Sequence, residues 1–404
     1  MEDNRRLEDD GRIFRNGNLQ IVFLVTILSG IGLFSVSPAL PVVVRDLLVA
    51  PADVGLILTV FALPGVFLMP LIGMAADRFG RKKVLGPALL LFGLSGGACL
   101  LIQDFKSLLV LRFIQGVGGA CLSSLNITII GDLFTGRQRT TAMGYNQSAF
   151  SAGATLLTVL GGALATLGWF YPFVMPLAAV PVWFLVMTRL ESPEPKRTCC
   201  LREYLGAVAT SLKRPQVFGI YVATMVTFVL VSGGFYNFFP LLMNDRFGSS
   251  PMVIGLVMSS MMIASAFSSV KMGTLVRHFP EKTLFKVSML LYALSLALMP
   301  LMPGTWSCIL PSAVMGIGQG MIIPVIQTLL SGLSAAENRA VVLSFYGTSL
   351  RVGQTIGPVI MGGVFSFFGM GGVFYFGAVL ALAMILWLAL VVDRETIESK
   401  GESR

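Results

Sequence analysis

Charge is scarce in this chain. Asp, Glu, Lys and Arg make up 12% of its 404 residues, about half the share of an ordinary soluble domain, and the mean hydropathy is +0.82. That balance excludes a water-soluble globular enzyme. Histidine occurs once, as His278, and the sequence contains no HExxH string and no CxxC pair. Neither zinc-protease nor zinc-ribbon chemistry is therefore written here, and no metal site or cofactor is expected. The five cysteines, Cys99, Cys121, Cys199, Cys200 and Cys308, lie within or beside apolar runs or in the longest connection, which supplies no extracellular disulfide framework. Acids are missing from the middle of every apolar run: all 20 sit at run ends, in connections or in the polar stretches at the two ends of the chain.

Apolar runs fill the space that charge leaves. They fall at about 19–44, 54–76, 84–102, 107–131, 142–167, 170–188, 216–242, 251–272, 283–302, 307–330, 341–364 and 371–392, each close to the ~20 residues that cross a bilayer as a helix. The fold class is an all-α membrane protein with twelve transmembrane helices. Of the basic residues outside the runs, only Arg45, Lys106 and Arg246 fall on the side opposite the termini, so the positive-inside rule places both termini in the cytoplasm of a multi-pass plasma-membrane protein. The net charge of +9 thus reports topology, and no nucleic-acid partner is expected. A polar leader before a first run too long for a signal h-region predicts a membrane anchor and no cleaved peptide. The partners expected are the lipid bilayer and a small molecule, with a monomer sufficient.

The chain is written twice. Shifted by about 200 residues, Gly55 meets Gly255, Gly73 meets Gly273, Gly116 and Gly118 meet Gly316 and Gly318, Arg139 meets Arg339, Gly153 meets Gly353, and Gly162 meets Gly362. This repeat predicts two pseudo-symmetric six-helix bundles with a site at their interface. The organisation expected is a leader 1–18, a first bundle 19–188, a linker 189–215 with Pro193 and Pro195, a second bundle 216–392 and a tail 393–404. Polar positions that break the repeat are the candidates for mechanism: Arg112 stands opposite Ser312, Arg351 opposite Ser151, and Asp77 opposite Arg277.

Between spans 2 and 3 stands Gly73-Met-Ala-Ala-Asp77-Arg78-Phe-Gly80-Arg81-Lys82-Lys83. Anchoring by positive charge requires neither the acid nor glycines suited to a tight turn. This string, with twelve spans and a repeat, resembles the signature of the major facilitator superfamily, and the resemblance covers the whole membrane part. It implies a secondary active transporter working by alternating access. It also implies a cytoplasmic latch of Gly73, Asp77, Arg78, Gly80, Arg81 and Asp132, in which Asp77 meets the start of span 11 when the protein faces outward and Arg81 pairs with Asp132 at the end of span 4. Span 4 reads Arg112-Phe-Ile-Gln115-Gly116-Val-Gly118-Gly119, which resembles the RxxQGxGxA pattern of the drug–proton antiporter branches and implies efflux. Span 5 departs from those branches, since Leu157-Thr158 stands where their Gly-Pro belongs and the intact Gly357-Pro358 is in span 11.

At 100° per residue, Arg112, Gln115, Gly119, Ser123 and Asn126 share one face of span 4. An Arg within the bilayer costs ~2.5–3.5 kcal/mol even on lenient scales and is expected to face a cavity. Arg351 lies deeper still, with a bend expected at Gly357-Pro358 as an alternative structural account of it. The expected cavity residues are Arg112, Gln115, Asn126, Gln147, Ser151, Tyr236, Asn237, Gln319, Gln327, Arg351 and Gln354, the amides having interhelical bonding as their alternative role. Asp46 and Asp132 are the carboxylates placed to couple protons, and Asp46 could reach Arg112. Two arginines and no deep acid repel lipophilic cations, so the sequence predicts export of an amphipathic neutral or anionic compound. Proton-coupled uptake of a small organic anion and lipid transport are the alternatives.

Overall fold

The computed structural model describes residues 13–191, 206, 212, 214–333 and 339–392. The leader, most of the 189–215 connection with Cys199 and Cys200, and the tail lie outside the described residues. Among the described residues twelve helices follow in chain order: α1 Gly17–Asp46, α2 Leu56–Phe79, α3 Arg81–Leu101, α4 Phe105–Leu133, α5 Gly136–Ala165, α6 Tyr171–Arg189, α7 Pro215–Phe247, α8 Pro251–His278, α9 Glu281–Leu301 and α10 Trp306–Leu333. The last helical run, Arg339–Val392, breaks at Gly369 (φ 67°, ψ −170°) into α11, 339–368, and α12, 370–392. These limits lie within a few residues of those expected from hydropathy.

Local chemistry fixes the ends and irregularities. The Asn16 side chain accepts from the Asn18 and Leu19 backbone N–H groups and caps α1. Asp104 caps α4 through the Ser107 N–H at 2.8 Å, a bond that holds its carboxyl below the usual range. Gly80 separates α2 from α3 at φ 95°, a conformation that a side chain resists. Pro38 and Pro41 interrupt α1 with a 3₁₀ turn at Ser37–Ala39, and α2 bends by 57° between Leu56–Met69 and Leu71–Phe79. In α7 the stretch Leu230–Phe238 is π-helical, a widened helical turn of the kind found at functional sites.

Two prolines stay inside helices because serines on neighbouring helices compensate them. Pro358 offers no N–H to the Gln354 carbonyl four residues earlier, and the Ser232 hydroxyl of α7, which donates to its own Phe228 carbonyl at 2.7 Å, also stands 3.2 Å from that oxygen and can share its proton with it. In α10, Pro324 likewise frees the Gly320 carbonyl, which accepts from Ser269 Oγ of α8 at 2.9 Å. The bend expected at Gly357-Pro358 is therefore corrected: α11 stays helical through Pro358, and its break comes later, at Gly369.

The repeat is visible in the packing. A Cβ on Gly116 would strike the Phe61 carbonyl of α2, and one on Gly316 the Met261 carbonyl of α8; Gly118 faces Phe92 of α3 as Gly318 faces Tyr292 of α9. Both bundles thus close on the same small-residue contacts, the dominant means of helix association where no water drives it. The bundles then meet through α2 with α11 and α5 with α8. Gly162 abuts the backbone at Pro251 and Gly255 that at Thr158, while Gly362 abuts Ala52 and Gly55 abuts Asn237 and Pro358. All four contacts lie toward the end opposite the Gly80 turn, which they seal. Near the Gly80 end, a Cβ added to Gly73, Gly144 or Gly273 would meet nothing within 4 Å, and one on Gly347 would meet only Met69 Sδ, at 3.7 Å.

A β-branched residue at a sealing glycine should pry that end open. With native cysteines replaced and a reporter introduced as Thr158→Cys, Gly162→Val is expected to raise labelling by an impermeant thiol reagent about fivefold. That corresponds to ~1 kcal/mol of overpacking in the sealed state.

Candidate functional site

Arg351 lies midway along α11, where the sealed half gives way to the open one. Its Nη1 donates to Gln354 Oε1 at 3.1 Å and its Nη2 crosses the bundle interface to Ser123 Oγ of α4 at 2.8 Å. The side-chain stem lies over Gly65 of α2, where a Cβ would stand 3.1 Å from Arg351 Cδ. A narrow crevice beside it is lined by Phe61, Ala62, Gly65, Gly116, Gly119 and Ala120. No carboxylate pairs with Arg351 among the described residues. The site thus carries an uncompensated cation on an apolar wall, suited to an anionic or strongly dipolar group.

Arg112 requires a correction. It is fully buried within the first bundle and does not line a cavity in this conformation. Nη1 donates to Gln115 Oε1 at 2.7 Å, Nε to the Ile57 carbonyl at 3.3 Å and Nη2 to the Gly32 carbonyl, while Phe61 stacks on the guanidinium at 4.4 Å. The repeat explains the position: Ser312, its counterpart, donates to the Val257 carbonyl at 3.1 Å, and Val257 is the counterpart of Ile57. Both side chains tie their helix to the same carbonyl of the neighbouring helix. The expected Asp46–Arg112 contact is absent, since exposed Arg45 takes Asp46 at 2.8 Å.

The other expected cavity residues separate into three groups. Asn126 donates to Thr26 Oγ1 at 3.0 Å, and Thr26 donates to Asn146 Oδ1 at 2.7 Å, a buried network joining α1, α4 and α5. Gln319 accepts from the Tyr292 hydroxyl, and Gln115 is held by Arg112. Asn126, Gln319 and Gln115 are thus bound inside single bundles and do not line the cavity here, a second correction. Tyr236 and Asn237 lie in the π-helical stretch at the sealed end: Ser37 of α1 donates to the Tyr236 carbonyl, Phe34 packs edge-on against the Tyr236 ring at 5.5 Å, and the buried Asn237 amide has no partner. Gln147 and Gln327 are exposed in the open half, with Ser151 and Gln354 half-buried above them. Ser123, Thr59 and Thr355 form part of the interface, Thr59 donating to the Thr355 carbonyl at 2.9 Å. Their signal in the sequence is weak, because small hydroxyls are common in membrane helices.

At the open end, Arg81 is 6% exposed. It pairs with Asp77 and, through Nε, with Asp132 Oδ2 at 3.0 Å, joining α2, α3 and α4. Gly80 makes the turn that brings these groups together, Arg78 is exposed beside Phe79, and Lys82 Nζ reaches the Leu190 carbonyl at 3.2 Å at the end of α6. Asp77 has no described contact with α11 in this conformation.

A family model described as Major Facilitator Superfamily matches residues 22–248 and again 220–404. The chain is 26% identical over 353 residues to the quinolone resistance protein NorA of Staphylococcus aureus (strain Mu50 / ATCC 700699), covering 86% of this chain and 88% of that protein. It is 24% identical over 362 residues to the bacillibactin exporter of Bacillus subtilis (strain 168), covering 86% and 90%. Its fold is similar to the crystal structure of nucleoside transporter NupG, with a TM-score of 0.76 at 17% identity, over 92% of this chain and 98% of that one.

The burial of Arg112 makes it a stability residue. Arg112→Met is expected to lower thermal stability, since the Gly32 and Ile57 carbonyls and Gln115 lose their donor at about 1–3 kcal/mol for each group left unsatisfied. Ligand affinity of the folded fraction should not change. Thermal denaturation with and without ligand checks both points, and a variant of wild-type stability would refute the assignment.

Proposed function

The chain belongs to the Major Facilitator Superfamily, and from that premise we propose that this secondary transporter exports an amphipathic neutral or anionic small molecule by alternating access. The observation that carries the reading is Arg351: a cation on an apolar wall at the bundle interface, hydrogen-bonded to neutral groups. Such a site attracts a carboxylate and repels a lipophilic cation. The described carboxylates agree with this, since Asp77 and Asp132 are engaged by Arg81 and Asp46 by Arg45, all at helix ends. A quinolone, the drug class for which the NorA relative is named, carries a carboxylate on an aromatic body. That chemistry fits the Arg351 guanidinium on its apolar wall.

The distribution of basic residues supports cytoplasmic termini, and on that reading the sealed end faces outward. The conformation described here is then the one that loads from the cytoplasm. The Asp77–Arg81–Asp132 cluster acts as the latch of the cytoplasmic end. Its ion pairs hold α2 to α3 and α4 while the end is open, and Asp77 is released toward α11 when it closes. An acid at a helix N-terminus is worth ~0.3–1 kcal/mol, small enough to form and break in each cycle. We infer proton antiport as the energy source from the resemblance of the Arg112–Gly119 string to antiporters, with Asp46 and Asp132 as the carboxylates to test.

Flux in everted vesicles tests the proposal. An inside-acid pH gradient is expected to drive accumulation of nalidixate, a monoanionic quinolone-type carboxylate, collapsed by an uncoupler and reduced at least about tenfold by Arg351→Gln, the loss of ~1.4 kcal/mol of charge-assisted binding. Ethidium should not accumulate. Accumulation of the cation with no effect of Arg351→Gln would overturn the anion reading, and accumulation in right-side-out vesicles alone would mean uptake.

A further inference from the structure

A guanidinium presents two donor edges. The side-on edge consists of Nε–H and one Nη2–H, parallel and spaced to receive both oxygens of a carboxylate. In Arg351, Nη2 donates to the single hydroxyl oxygen of Ser123 at 2.8 Å, while the buried Nε has no partner among the described residues. The end-on donor Nη1 is committed to Gln354 on the same helix. One hydroxyl cannot fill a two-pronged fork, and an unpaired buried donor is costly to keep. The arrangement is therefore poised for a ligand with two adjacent acceptor oxygens.

Ser123 is the group such a ligand would replace, and it can leave easily. Its own hydroxyl donates to the Ala120 carbonyl at 3.1 Å within α4, so it remains hydrogen-bonded after losing Arg351. Nε lies against Gly65 of α2, where a Cβ would stand 3.3 Å from it, so an anion entering the fork displaces Ser123 from Nη2 and parts Arg351 from α2. The neighbouring crevice, lined by Phe61, Ala62 and Ala120, gives the fork apolar surroundings but is too tight in this conformation to hold the body of a ligand. Because Arg351 belongs to the second bundle and Ser123 to the first, the bond to be displaced is one of the ties between the halves. The others, Ser37 to the Tyr236 carbonyl and Thr59 to the Thr355 carbonyl, lie farther toward the sealed end.

We propose that the Nε/Nη2 edge of Arg351 is the headgroup site for a monoanionic carboxylate or sulfonate, and that the ligand unties the two bundles by taking the place of Ser123. This rests on the anion-export reading and adds to it the reason why binding permits rocking: the occupied Arg351 moves with the second bundle, free of α4. Ser123 acts as an internal competitor. A neutral ligand without paired oxygens lacks the means to displace it.

The test uses the full chain in nanodiscs and a matched pair of probes, naphthalene-2-carboxylate and naphthalene-2-carboxamide, titrated by calorimetry. Ser123→Ala removes the competitor and is expected to tighten carboxylate binding about 3- to 10-fold with the carboxamide unaffected. Arg351→Lys keeps the charge but loses the planar fork, and should weaken the carboxylate about 10-fold or more. In the otherwise wild-type protein, the carboxylate alone should change the distance between spin labels on α4 and α11. Unchanged or weaker carboxylate binding in Ser123→Ala, or wild-type binding in Arg351→Lys, overturns displacement. If vesicles still export the anion, the export reading survives that failure. If the wild-type protein carries no anion at all, the anion-export reading on which this rests falls.

Discussion

No water is available inside a bilayer to satisfy a polar atom, so each buried donor and acceptor must find its partner within the protein. Much of this structure follows from that constraint. The serines beside Pro358 and Pro324 take the carbonyls that those prolines leave free, so neither helix has to break there. Arg112 is admitted to the first bundle because two carbonyls and an amide receive its donors. The backbone can approach closely where glycine permits, and the sealed end is built from such approaches.

The same constraint separates the two arginines. Arg112 has its three nitrogens engaged and an aromatic face on the guanidinium, and it is used up by structure. Arg351 has one nitrogen bonded along its own helix, one bonded across the interface and one without a partner among the described residues. A deep charge costs several kcal/mol on any scale, and one left incompletely satisfied keeps that cost available to a ligand. Position relative to the interface adds a mechanical consequence. Arg112 binds within one bundle and stiffens it, whereas Arg351 binds across two and limits their relative motion.

The architecture is legible in the sequence because hydropathy, basic-residue asymmetry and the 200-residue repeat are one-dimensional signals with direct physical causes. Gly116 and Gly316, or Gly162 and Gly362, match in sequence because each pair meets the same kind of backbone neighbour. The site is less legible. A helical face groups Arg112 with Gln115 and Asn126, but the sequence does not say whether that face meets a cavity or another helix. Here it meets α1 and α2. By residue type Arg112 breaks the repeat, yet it does with a guanidinium what Ser312 does with a hydroxyl, and only three-dimensional pairing reveals that equivalence. The prolines mislead for the same reason, since the compensating serines are distant in sequence.

Alternating access requires that neither end be held too strongly. Polar contacts between membrane helices average ~0.6 kcal/mol, and the described side-chain hydrogen bonds across the bundle interface are those of Ser37, Thr59 and Arg351. The combined worth of the three ties is a few kcal/mol at most, so the glycine contacts of α2 with α11 and α5 with α8 hold most of the seal. Packing of that kind is lost abruptly once the surfaces separate, which suits a two-state device better than a graded one. At the open end, Gly73 and Gly273 have free space over them and are counterparts in the repeat, as the sealing pairs are. An end that closes by the same mechanism needs small residues at the points of approach, and these positions already provide them. The two conformations would then be sealed by similar contacts of similar strength, which leaves a ligand's few kcal/mol of differential binding enough to decide between them.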